Sequence, residues 1–344
     1  MALLRTSLMI FQRPAIWLRV LLALTGPVNL IFPQQVSSWR DPSSHTVKFA
    51  TVDENVRLEI LDWGGSGRPV VLLAGGGNTA HVFDAFAPKL AAGCHVYGIT
   101  RRGFGASSIP ATGYEADGLG DDVLAVLDSL KLTQPVLIGH SLGGEELSSV
   151  ASRRSSRVAG LIYLEAAYQY AFDNGRGGTL DELQKSANPQ PPPPEPNESD
   201  LASFGSLQAW FTRVYGVTPP EAEFRQTWDS TPDGRVASRR NSPMASIMKG
   251  VKKWTDIPVP ALAIFAVPHD HGPWIKNHLD SAVRAAAKAR SAEEAVLVEK
   301  QAKAFESGVP GARVVRLPGA HHYVFLSNEA VVLHEIRAFI SSLR

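Results

Sequence analysis

Ser141 sits in Gly139-His140-Ser141-Leu142-Gly143, and its type and setting make it the first candidate for chemistry in this chain. The apolar run Pro135-Val136-Leu137-Ile138 precedes it and helix-compatible residues follow. That strand, sharp turn and helix is the arrangement that lifts a serine hydroxyl above a sheet edge as a nucleophile. Glycines on both sides let the backbone take the strained turn. A serine so placed can attack a carbonyl if a base takes its proton and an acid orients that base. Such a pentapeptide also arises by chance in loops, so the segments around it must carry the argument.

Those segments follow in order. Pro69-Val70-Val71-Leu72-Leu73 reads as a buried strand that breaks into Ala74-Gly75-Gly76-Gly77-Asn78. His95-Val96-Tyr97-Gly98-Ile99-Thr100 reads as another, turning through Arg101-Arg102-Gly103-Phe104-Gly105-Ala106-Ser107. Beyond Ser141, the apolar stretch from Ile257 to Ala266 runs into Val267-Pro268-His269-Asp270, and that from Ala312 to Leu317 into Pro318-Gly319-Ala320-His321-His322-Tyr323-Val324-Phe325.

In these segments, from about Val47 to the C-terminus, the chain resembles the α/β-hydrolase fold family. The resemblance implies an α/β protein with a mostly parallel central sheet flanked by helices, a small helical cap, and a serine hydrolase site. In that family the chain order is serine, then acid, then histidine. It implies Asp270 as the acid and His322 as the base, with Glu165, after Leu161-Ile162-Tyr163-Leu164, and His321 as the rivals of each. The oxyanion hole falls to the backbone N–H groups of Gly76, Gly77 and Leu142. Ala74 stands where relatives often carry histidine and Thr100 where aspartate is common. Backbone donors do not depend on those side chains. Arg102 reads as a scaffold hydrogen-bond donor.

Related epoxide hydrolases and haloalkane dehalogenases carry an aspartate at the elbow, whereas this chain has Ser141. The expected reaction is therefore cleavage of a carboxylic ester, thioester or lactone of a small, largely apolar substrate through an acyl-enzyme, with no cofactor. Two alternatives use the same scaffold: a cofactor-free perhydrolase or haloperoxidase-like enzyme, and a non-catalytic small-molecule receptor. His269-Asp270-His271 offers imidazole and carboxylate without a third ligand at convincing spacing, so no metal is expected. Glu145 and Glu146 read as acids favoured by the first turn of a helix.

The remaining sequence places these groups. The 344 residues, 44% hydrophobic and 19% charged, suffice for one large α/β domain with a small second element. A net charge of +1 gives no reason to invoke nucleic acid, so a small-molecule partner is expected; oligomeric state is left open. Cys94 is the only cysteine, which rules out an intramolecular disulfide. Residues 1–40 have the basic-then-apolar order of an export signal or N-terminal anchor, interrupted by Gly26-Pro27, and any membrane association would run through them. The expectation is a periplasmic, secreted or anchored protein, with a cytoplasmic one as the alternative. The core is expected in residues 41–166 and 257–344, and a cap in 167–256.

Within that cap, Asn188-Pro189-Gln190-Pro191-Pro192-Pro193-Pro194-Glu195-Pro196 reads as an extended loop. Leu201, Phe204, Leu207, Trp210, Phe211 and Val214 follow at helical spacing. Trp210, Phe211, Tyr215, Phe224 and Trp228 are the candidate pocket residues. The Ala-, Lys- and Glu-rich stretch 281–307 reads as a solvated helix without chemistry.

Overall fold

Apolar residues that run consecutively rather than alternating with polar ones build the centre of a sheet covered on both faces. In β3 (Arg68–Leu73), Val70 and Leu72 pack in one apolar layer with Ile138, Ile162 and Ile264. Val71 and Leu73 pack in the opposite layer with Leu137, Tyr163 and Phe265. This alternation is the two-residue period of a strand with apolar partners on each side. The computed structural model describes residues 39–179, 182 and 191–343. All but the last two residues of the expected leader, and the start of the proline tract, lie outside the described residues.

The other strands are β1 (Thr46–Asp53), β2 (Val56–Gly65), β4 (Cys94–Ile99), β5 (Val136–His140), β6 (Gly160–Leu164), β7 (Trp228–Ser230), β8 (Val236–Arg239), β9 (Ala261–Ala266) and β10 (Arg313–Leu317). Among the described residues, eight of the ten strands form one sheet in the order β1-β2-β4-β3-β5-β6-β9-β10. β2 is antiparallel to both its neighbours, and every pairing from β4 to β10 is parallel. In such a sheet ligands bind beyond the carboxyl ends of the strands. The loops after β3, β5, β6, β9 and β10 hold every candidate catalytic residue.

The segment between β6 and β9 carries the Phe204–Tyr215, Glu221–Thr227 and Met244–Lys249 helices and the β7–β8 hairpin. Ser203 caps the first of these helices by accepting from the Ser206 amide. Pro191–Pro196 forms neither helix nor strand, as rings without N–H groups dictate. The Ser281–Gly308 helix starts at Asp280, whose side chain accepts from the Ala282 amide. It is more than a solvated helix, because Val298, Ala302 and Phe305 are buried in the core. No helix among the described residues is long and apolar enough to cross a membrane.

Candidate active site

At the end of β5 the chain turns within three residues. Ser141 has φ 48°, a left-handed conformation rare outside glycine. Its amide donates to the Leu164 carbonyl at 3.1 Å, and the Gly143–Arg154 helix begins at once. The flanking glycines are required by contact. A Cβ on Gly139 would come within 2.7 Å of the Gly143 backbone, and one on Gly143 within 2.7 Å of the Leu73 carbonyl oxygen. No side chain fits where the turn folds back on its own strand.

The glycine loop after β3 abuts this turn. A Cβ on Gly75 would lie 2.9 Å from His140 Nδ1 and 3.0 Å from Ser141 Cβ, and one on Gly76 would lie 3.5 Å from Leu142 Cδ2. Gly77 itself is left-handed, at φ 79°. Arg101 holds the loop from behind: Nη2 donates to the Ala74 carbonyl at 2.8 Å, while Nε and Nη2 donate to Glu146 at 2.6 and 2.9 Å. Glu146 is thus the buried counter-ion of a loop-supporting arginine, a stronger role than the helix-dipole acid expected. Arg102 donates to Asp122 and to the Thr112 carbonyl, away from Ser141. At the loop's far end Glu223 accepts from Asn78 Nδ2 at 2.9 Å and from the Thr79 hydroxyl at 2.5 Å, tying the β6–β9 segment to it.

His322 follows β10, and its Nδ1 lies 3.1 Å from Glu165 Oε2. The acid beside the histidine is therefore Glu165, and the expectation of Asp270 is corrected. Glu165 follows β6 directly, with φ 51°, and is wholly buried. Its Oε1 accepts from the Ala266 amide at 2.6 Å and from the Tyr168 hydroxyl at 3.0 Å, and His269 Nε2 bonds Oε2. Burial alone would raise the pKa of this carboxyl, but His269 and His322 outweigh it and draw it down to about 2. Asp270 also lines the cleft but bonds elsewhere: it accepts from the Gly272 amide at 2.8 Å and Lys276 Nζ at 2.6 Å. Burial disfavours its charge, yet those partners hold its pKa below the usual aspartate value.

His321, the rival base, is buried, and its Nδ1 accepts from the Tyr323 amide. Burial and the neighbouring His322 push its pKa down to about 4. His269 is held oppositely: burial would lower its pKa, but Glu165 and Glu294 raise it to about 10. Glu294 belongs to the Ser281–Gly308 helix and also meets His271 at 2.8 Å, so that helix does reach the site. Glu165, His269 and His322 converge closely enough to hold a metal ion. The carboxylate is already taken by the Ala266 amide, Tyr168 and both imidazoles, a set that suits holding protons in place.

These groups face one cleft of about 750 Å³ whose walls include Ser141, Glu165, His322, Tyr170, Arg239 and Trp274. Of the expected pocket residues, Phe211 and Tyr215 line it. Trp210, Phe224 and Trp228 pack instead into an apolar cluster with Leu207 and Val214, where the Phe204–Tyr215 helix, the Glu221–Thr227 helix and the start of β7 meet. Tyr170 and Glu223 escaped the sequence reading, which has Arg101 only as part of a turn and His269 only as a metal ligand. Tyr170, which lines the cleft with Ser141, follows the strand that ends at Leu164, the one available signal.

A strained serine turn on a doubly wound parallel sheet, beside a glycine loop and a histidine–carboxylate pair, defines the class of nucleophile-elbow proteins. The alpha/beta hydrolase family matches residues 70–334, and the chain belongs to that family. The chain is 22% identical over 307 residues to the 2-(acetamidomethylene)succinate hydrolase of Mesorhizobium japonicum, covering 87% of this chain and 95% of that one. It is 34% identical over 121 residues to the AB hydrolase superfamily protein YisY of Bacillus subtilis, spanning 35% of this chain and only 45% of that protein. A solved E-2-(acetamidomethylene)succinate hydrolase, 19% identical, superposes with a TM-score of 0.60 over 87% of this chain and 100% of that one.

Proposed function

We propose that this protein is a serine hydrolase in which Ser141, His322 and Glu165 form the triad. His322 takes the proton of Ser141 as its oxygen attacks a carbonyl carbon. Glu165, at Nδ1, fixes the tautomer and steadies the imidazolium. The amides of Leu142 and of Gly76 or Gly77 receive the oxyanion. The protonated imidazole then gives its proton to the departing alcohol, and water repeats the sequence to release the acid. The observation that carries this reading is the buried Glu165 carboxylate at 3.1 Å from His322 Nδ1, in the cleft that also holds the strained Ser141.

The cleft favours a small ester, thioester or lactone with an apolar or aromatic body against Phe211, Tyr215 and Trp274. Arg239 adds an anionic end to that substrate. Its exposed guanidinium overhangs the glycine loop, with Nη2 3.0 Å from where a Gly77 Cβ would stand. A relative named for acting on a substituted succinate supports the same preference. Export or anchoring through residues 1–40 belongs to this proposal on the strength of their basic-then-apolar order.

Labelling of the full chain with a fluorophosphonate, read by peptide mass, tests the nucleophile. Modification at Ser141 that disappears in His322→Ala supports the triad, and a folded protein that resists labelling overturns it. Paired esters with and without a terminal carboxylate test the substrate. Arg239→Ala should raise KM for the carboxylate-bearing member alone, and an equal effect on both would remove the anionic end from the proposal.

A further inference from the structure

On the far side of the glycine loop four potential metal ligands from two parts of the chain come together. Asp41 and His45 lie just before β1, and His81 and Asp84 lie in and just after the short helix Ala80–Phe83 that continues the loop. One ligand atom of each lies within 4.8 Å of all the others. His81 and Asp84 are buried, and the side chain of His45 is almost so.

Two of the separations are long for hydrogen bonds: Asp41 Oδ2 stands 3.7 Å from His45 Nε2 and 3.5 Å from His81 Nδ1, while His81 Nδ1 bonds Asp84 Oδ2 at 3.1 Å. Four ligands at about 2.0 Å from a tetrahedral zinc are about 3.3 Å apart. His81 Nδ1 is already near that spacing from Asp41 Oδ2 and Asp84 Oδ2, whereas His45, which sets Nε2 toward Asp41 and Nδ1 toward Asp84, would have to turn one nitrogen to the ion. The other oxygen of Asp41 already accepts from the Ser43 amide at 2.9 Å, so Oδ2 is the one left facing the imidazoles.

The surroundings match what orients metal ligands. His81 Nε2 is buried with no hydrogen-bond partner, and Glu59 Oε1 lies 3.5 Å from it. With Nδ1 on a metal, Nε2 must carry the proton, and a carboxylate, the usual outer partner of a ligating histidine, lies 3.5 Å from it. Trp63 Nε1 donates to Asp84 Oδ1 at 3.0 Å, and Glu59 is fixed by the Thr100 hydroxyl at 2.7 Å. A shell of buried donors and acceptors thus surrounds two imidazoles and two carboxylates, the ligand types zinc takes.

We infer that Asp41, His45, His81 and Asp84 form a structural zinc site that clamps the segment before β1 to the back of the oxyanion loop. All four positions are filled by protein, so the ion would stiffen the loop and carry no substrate.

The full chain, stripped with a chelator and dialysed against zinc chloride, provides the test, with bound metal counted by mass spectrometry and stability read as Tm. The expected result is one zinc per chain and a higher Tm. Affinity should fall at least tenfold in His45→Ala and in Asp41→Asn, and should be unchanged in His322→Ala. Asp41→Asn keeps the acceptor for the Ser43 amide, so it remains informative should His45→Ala fail to fold. No bound zinc, or zinc retained by Asp41→Asn and His45→Ala, overturns the inference. Zinc lost with His322→Ala would move it to the Glu165–His269–His322 cluster and equally overturn this site.

Discussion

His322 Nδ1 and Glu165 Oε2 lie 3.1 Å apart, yet the two side chains have opposite exposure: the carboxylate is fully buried and the imidazole is 42% exposed. The acid is therefore fixed from below while the base opens into the cleft. Glu165→Gln should lower kcat by about 10³ to 10⁴-fold, since an amide at this position allows the unproductive tautomer. Asp270→Asn removes a half-exposed partner of Lys276 and should leave kcat unchanged and stability within about 1 kcal/mol. Steady-state kinetics of both variants check the assignment; the reverse pattern would restore Asp270.

Ser141→Ala should abolish turnover and fluorophosphonate labelling while leaving the circular dichroism spectrum unchanged, because alanine adds no bulk. Gly139→Ala should instead destabilise the protein by about 1–3 kcal/mol, since its Cβ would meet the Gly143 backbone at 2.7 Å. Denaturant midpoints separate the two effects.

Tyr170 holds its phenol near Ser141 and loses ionisability to burial and to the nearby Glu165 charge, so it stays a neutral donor. If it joins the backbone amides in receiving the oxyanion, Tyr170→Phe should cost about 10²-fold in kcat with little change in KM. A change confined to KM would assign it to substrate binding alone.

Glu145 is buried in the elbow helix beside Glu146. Burial, then that neighbour, raises its pKa from 4.5 to about 7. Between those values the folded chain binds more protons at this site than the unfolded chain, so its contribution to stability falls as pH rises from about 4.5 to 7. Glu145→Gln should flatten the pH dependence of Tm across that window. An unchanged slope would place the titration elsewhere.

The elbow, the glycine loop and the histidine after the last strand were legible because each depends on local geometry. Gly139 is needed by the turn itself, Gly143 by the close approach of β3, and His322 lies in the loop just after the last strand. The pocket was half legible: helical spacing marked the Leu207–Val214 stripe as apolar, but which of its aromatics face the cleft depends on how the helix is rotated against the core.

The identity of the acid beside His322 was decided by the tertiary structure alone. Glu165 and Asp270 each follow an apolar strand, and β6 and β9 are neighbours in the sheet, so their strand contexts are nearly equivalent in one dimension. Folding separates them. The left-handed turn at Glu165 points its carboxylate inward to the Ala266 amide and His322, while Asp270 is drawn to Gly272 and Lys276. Asp41 and His81 likewise meet only because the segment before β1 packs behind the loop after β3. Sequence by itself determined the serine turn and the layered sheet, since these follow from patterns along the chain. The carboxylate beside His322 and the Asp41–His45–His81–Asp84 cluster required contacts between residues far apart in sequence, which only three-dimensional packing brings together.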